Sequence, residues 1–183
     1  MVGKGRHAVI GVRSIDPVLS LVGPIGLATS VGTALVLDLG PSAPNPGQRT
    51  LRDVAVDGPT LAELSPGRRG VAMIPGGGID FGDAIDLIEQ LAMRWPAVAV
   101  RVETPGWPFP VVPVIPMYPG RLLLPSEPLG VWQPVGGSGP APGPGPVLPR
   151  LRAGHLRRLL SGHVPRRSRW IEAWRPVWDM PWA

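Results

Sequence analysis

VLSLVGPIGLATSVGTALVL, residues 18–37, is a run of twenty residues without a charge, the length of apolar helix that spans a bilayer core. How it divides decides the fold. As one helix it is a membrane segment; as a helix, a turn and a strand it opens a layered α/β domain. Gly23, Pro24, Gly26 and Gly32 interrupt the run, neither end carries an aromatic or basic anchor, and Asp16 and Asp38 bound it; all of this argues against a span. We therefore expect a buried helix carrying Leu19, Val22 and Leu27, a turn near Gly32, and a buried strand TALVLDL over 33–39.

The flanking sequence follows the same grammar. HAVIGV (7–12), GVAMI (70–74) and AVAVRV (97–102) are short, rich in Val or Ile, and bounded by Gly, Pro or Asp, as fully buried parallel strands tend to be. Helical spacing lies between them. A short helix is expected over 60–64 after the turn DGP, and a longer one over 81–95, with Ile85, Ile88, Leu91, Ala92 and Trp95 facing inward. Alternating strands and helices predict the α/β class: a small layered domain with a mostly parallel sheet, flanking helices and a helical C-terminal tail. VVPVI (111–115) and RLLL (121–124) are expected as edge strands, because proline is tolerated at edges but not in central strands. VGGSGPAPGPGPVLP (135–149) reads as a Gly/Pro linker. The expected organisation is thus a domain over 1–134, a linker over 135–149 and a basic, tryptophan-rich tail over 150–183.

Composition narrows the function classes. Of 183 residues 44% are hydrophobic, enough for a core, while 26 prolines and 25 glycines signal irregular segments beside it. There is no cysteine, which excludes disulfides, thiolate metal sites and a cysteine nucleophile. Arginine outnumbers lysine 17 to 1, a bias that, with so much Ala, Gly and Pro, reflects a GC-rich bacterial genome and weakens the case for nucleic acid. Charge is segregated: residues 1–149 hold ten basic and eleven acidic side chains, residues 150–183 eight and two, so the tail carries +6. The N-terminus lacks an apolar run ending in a small-residue cleavage site, so a cytoplasmic location is expected.

No catalytic motif stands out. VAMIPGGGIDFGDAIDLIEQ (71–90) runs from a strand through Gly76, Gly77 and Gly78 into a helix, an arrangement whose backbone amides can cradle phosphate. The G-x-G-x-x-G spacing fails at Phe81, and Asp80, Asp83 and Asp86 complement the helix dipole themselves. ATSVG (28–32) lacks the first glycine of a nucleophile elbow and precedes a strand instead of following one. His7, His155 and His163 have no second ligand at metal spacing. No catalytic residue, metal or cofactor is expected.

In order of elements, residues 7–116 resemble the deviant-Walker ATPases of the ParA/MinD type. In that family a first strand meets a phosphate loop, and a second ends in Asp-x-Asp before a Pro/Asn-containing loop. Here HAVIGV leads to RSIDPVLSLVGPIG without Gly-Lys-Thr/Ser, and ALVLDLGPSAPNPG places Asp38 at the first acid and Gly40 at the second. AVAVRVE puts Arg101 where the Walker B acid falls. The resemblance implies a fold relative that has lost hydrolysis, with a residual nucleotide site at Asp38, Gly76, Gly77 and Gly78.

WIEAWRPVWDMPWA (170–183) places Trp170, Trp174, Trp178 and Trp182 four apart, behind Arg166, Arg167 and Arg169. Pro176 limits any helix to about 168–175. Four indoles of ~200 Å² each need a cover. It is the chain's own sheet, a partner protein or an anionic membrane surface; Glu172 and Asp179 disfavour nucleic acid. The expected function is a non-catalytic scaffold or regulatory interaction protein of a bacterial assembly, docking an unidentified protein through those arginines and tryptophans. The alternatives are a residual nucleotide-binding protein and a peripheral protein of the inner membrane.

Overall fold

Six strands form one sheet in the computed structural model of the chain, which describes residues 8–40, 47–65, 70–103, 105–120, 129–136, 140–161, 163 and 168–182. They are β1 (Val9–Arg13), β2 (Ala34–Asp38), β3 (Val71–Pro75), β4 (Val98–Arg101), β5 (Val111–Met117) and β6 (Val131–Pro134), in spatial order β3-β2-β4-β1-β5-β6. Every pairing is parallel. RLLL (121–124) lies outside the described residues.

The apolar run divides at its turn. Helix α1 (Pro17–Thr29) starts where Asp16 caps the amides of Val18 and Leu19 at 2.9 and 3.0 Å, and Pro17 takes a first-turn position that needs no amide. It ends in a turn in which Gly32 adopts φ +83°, and β2 follows. Among the described residues no helix is long and apolar enough to cross a membrane.

Side chains alternate between two cores, as a sheet covered on both faces requires. Val9, Leu35, Leu37, Ile74, Val98 and Val100 meet helices α2 (Leu51–Asp57) and α4 (Phe81–Ala92). α4 buries Ala84, Leu87, Ile88 and Leu91, with Trp95 just beyond it; Ile85, expected inside, is only half-buried. A one-turn helix α3 (Leu61–Leu64) precedes β3, and the Trp95 indole donates to the Glu63 carbonyl at 2.7 Å. On the other face Ile10, Val12, Ala34, Val36, Ala99, Val112 and Val114 meet α1.

α1 is buried nearly all round because the tail covers it from outside. Helix α5 (Ala153–Leu160), the single turn α6 (Arg169–Glu172) and a 3₁₀ turn at Arg175–Asp179 bring Trp170, Trp174, Trp178 and Trp182 into the same core as Ile10 and Val12. Glycine makes the approach possible. A Cβ on Gly26 would stand 2.6 Å from the Trp170 ring and from Nε1 of Trp174, and one on Gly23 would be 3.0 Å from Val12. The Trp178 indole donates to the Leu27 carbonyl at 3.0 Å, joining Ser30 Oγ, which donates to the same last-turn acceptor at 2.6 Å.

Two expectations change. β5 is an interior strand, not an edge, because its two ladders hardly overlap: β1 pairs with 111–113 and β6 with 114–117. Gly11 donates to the Pro110 carbonyl and Val135 to that of Met117, so even positions of β5 face β1 and odd ones β6. Pro113 therefore faces β6 before that ladder begins, and Pro116 faces β1 after that ladder has ended. Neither missing amide breaks a bond. The second change concerns the 135–149 linker, whose described part packs on β6. Gly130 and Trp132 donate to the carbonyls of Pro144 and Pro146 at 3.3 and 2.9 Å, Leu148 donates back to Trp132 at 2.8 Å, and Leu148 is buried. Proline retains its carbonyl, so such a segment can accept from an edge strand while offering few amides onward. The packing therefore does not divide at 135–149; sheet and tail share one core.

Helix propensity alone predicts that Gly26→Ala stabilises α1 by about 1 kcal/mol. With the indoles where they are, it is expected to destabilise by about 1–3 kcal/mol and shift tryptophan emission to the red. Gly82→Ala, whose Cβ meets nothing within 4 Å, should be neutral or stabilising in the same denaturation experiment.

Candidate functional site

In open parallel sheets ligands bind outside the carboxyl ends of the strands, and at the ends of β2 and β4 an ion-pair network stands there. Asp38 ends β2, Arg101 ends β4, and β4 lies beside β2 with these two residues in register. Arg101 Nη1 stands 3.3 Å from Asp38 Oδ1, its Nε donates to Ser20 Oγ on α1 at 3.1 Å, and its Nη2 meets Glu103 at 2.7 Å. Both members of the central pair are buried, with side chains 9% and 6% exposed. Asp38 also accepts from the Gly40 amide at 2.9 Å. Gly40 leaves the space in which the guanidinium lies: a Cβ there would be 2.5 Å from Arg101 Cζ.

Of the glycines expected to form a residual phosphate cradle, Gly76 reaches this network. Its amide donates to the Asp38 carbonyl at 2.7 Å, and a Cβ on it would press that same oxygen at 2.9 Å. Gly77, at φ +66°, packs against Thr50, which caps α2; Gly78, at φ +71°, faces open space. The structure thus brings Asp38 and Gly76 together, but the Asp38 carboxylate faces Arg101 and not the glycines. Asp80 takes the N-cap position of α4 without a side-chain cap bond, and Asp83 sits in its first turn.

Asp53 completes a capping box with Thr50, accepting from the Thr50 amide and hydroxyl at 2.8 Å each. Those bonds, the backbone one first, hold its carboxyl below the ordinary aspartate value. Stability from this group is present above that ordinary value and is lost as pH falls through the lowered one. Among the described residues no three His, Asp or Glu side chains stand together as a metal site.

The tail residues named for docking are placed differently from that expectation. Trp170, Trp174, Trp178 and Trp182 are 2%, 0%, 0% and 7% exposed, so their indoles contact the chain's own core and present no surface to a partner. The reason is the uncovered outer side of α1, which lies within reach of the same chain. Trp170 donates to Gln133 of β6 at 2.6 Å, and Gln133 in turn donates to the carbonyls of Pro134 and Pro149, so one buried amide ties β6, the former linker and α6 together. Trp182 donates to the Val177 carbonyl at 2.6 Å, while Nε1 of Trp174 is buried without a partner among the described residues. Arg169 is exposed; Arg166 and Arg167 lie outside the described residues.

The residue that sequence reasoning missed is Arg101 as the centre of the strand-end site. Its only signal was an arginine inside the apolar run AVAVRV, where a buried strand needs a partnered charge. Compared with known proteins, the chain matches no family model, and no curated protein or solved structure is significantly similar to it.

Removing one member of a buried pair leaves the other without compensation. Arg101→Met is expected to cost about 3–5 kcal/mol in urea denaturation, and combining it with Asp38→Leu should recover most of that loss. If the single variant proves neutral, the network contributes nothing to folding.

Proposed function

We propose that the chain is a non-catalytic scaffold or regulatory interaction protein of a bacterial assembly, related in fold to ParA/MinD-type ATPases but without nucleotide chemistry. The observation that carries this is the seat of Arg101. Two departures from the family's pattern, Arg101 at the Walker B position and Gly40 at the second acid of Asp-x-Asp, meet at one point: the guanidinium occupies the space that glycine leaves and faces Asp38. A positive side chain held there takes up the acid that a nucleotide-bound cation would need. The loop from β1 to α1 carries no lysine, and its Asp16 is engaged in capping α1 and in accepting from Tyr118 at 2.6 Å.

With the indoles buried, the partner surface we propose is the charged exterior of the tail, where Arg169 and the arginines of α5 face outward. The +6 of residues 150–183 favours an acidic protein partner.

A site whose Kd is one hundredth of the nucleotide concentration would add about 2.7 kcal/mol of stability, roughly 5–10 °C in melting temperature for a chain of this size. Millimolar ATP or GTP with Mg²⁺ is expected to give no such shift and no phosphate release. A shift that Asp38→Ala abolishes would overturn the non-catalytic role. Purified gently from its native cell, the full chain is expected to elute with a stoichiometric protein partner; elution alone would remove the interaction role.

A further inference from the structure

Two sets of arginines in this fold contrast with each other. Arg49 and Arg101 are paired with Asp57 and Glu63, and with Asp38 and Glu103. Arg150, Arg152, Arg158 and Arg169 have no ion pair among the described residues, and they converge on one open cleft of about 960 Å³ between the start of α5 and the start of α6. Among the described residues no carboxylate lines this cleft, and its other polar side chains are His155 and Ser168. Four like charges gathered without a counter-charge repel one another, and a bound anion would relieve that repulsion.

The backbone points the same way. α5 begins in the cleft with Arg152 as its N-cap, which provides no side-chain cap bond, and no acid occupies its first turn. Among the described residues every other α-helix of seven residues or more has an aspartate or threonine at that position. A cation beside the positive end of a helix dipole is unfavourable by itself and becomes favourable when both face an anion. The amides of Ala153 and Gly154 have no acceptor among the described residues, and Gly154 has open space where a Cβ would stand, so a ligand oxygen can reach the backbone.

We propose that this cleft is a binding site for a multiply charged phosphate group, carried either by a soluble phosphate ester or by an anionic lipid headgroup. Arg152 at the start of α5 and Arg158 in its last turn both line the cleft and supply planar guanidinium forks suited to phosphate oxygens. Arg150 and Arg169 line the same cleft. His155 lies 3.3 Å from Ser168 Oγ and edge-on to Trp170 at 6.0 Å. Burial and then the Arg158 charge hold its pKa below the ordinary histidine value. The cleft shares Arg158 and Arg169 with the surface proposed for an acidic partner, but its test uses pyrophosphate without any protein partner, so its outcome is separate from that of the interaction role.

The test uses the full chain and inorganic pyrophosphate in isothermal titration calorimetry. Saturable binding is expected, weakened about tenfold or more by Arg152→Glu with Arg158→Glu. Arg157→Glu, on the same helix but outside the cleft, should leave it within about twofold, because it changes net charge without removing a ligand. The milder pair Arg152→Gln with Arg158→Gln guards against misfolding and should weaken binding in the same direction. Flotation with phosphatidylglycerol vesicles that pyrophosphate competes away identifies a headgroup as the source; pyrophosphate binding without flotation identifies a soluble ester, and either result supports the site. Absence of saturable binding at millimolar pyrophosphate, equal weakening by Arg157→Glu, or flotation insensitive to pyrophosphate overturns it.

Discussion

A helix that is apolar around its whole circumference needs cover on every side, and α1 imposes that requirement on this molecule. The sheet covers one side through Val12, Val114 and their neighbours; the four indoles of the tail cover the other. Contact between Gly26 and the Trp170 and Trp174 rings is what makes the second cover possible, since any side chain at 26 would hold the tail off the helix. Much else follows from that contact. The tail must return across β6, which places 140–149 along the open edge of that strand, and it must end against the carbonyls of α1, where Trp178 donates to Leu27. A membrane is no longer needed to explain either the uncharged run or the clustered tryptophans.

Proline placement shows how a chain with 26 prolines still builds a parallel sheet. Each proline of β5 turns its missing amide toward the side whose ladder does not reach it, and those beyond β6 use their carbonyls as acceptors. The cost of proline in a strand is a missing donor, and a missing donor costs nothing where no acceptor waits. The same stretch limits further growth of the sheet past β6, because prolines along an outer edge cannot complete another ladder.

Charge is managed in two opposite ways. At the carboxyl ends of β2 and β4 the Arg101 guanidinium is buried and matched by Asp38, with Ser20 and Glu103 in support. At the start of α5 four guanidiniums are left in a cleft without a carboxylate. Burial explains the first pattern, since a buried charge without a partner is intolerable. Solvent exposure permits the second and leaves it available to an outside anion.

Local patterns were sufficient for the α/β class, for β1 to β4 and for the division of residues 18–37 at Gly32, because residue alternation and turn glycines act over a few positions. α2 escaped notice because only Leu51 and Val54 of its seven residues are buried, too few to show a period. What no local pattern held was the strand order. Placing β4 between β1 and β2 brings Arg101 to Asp38 across 63 residues and to Ser20 across 81, and so decides that the strand-end site is filled from within. The fate of the tryptophans was settled in the same way: their spacing required burial, but only the packed sheet, with one side of α1 left bare, decided which surface they would cover.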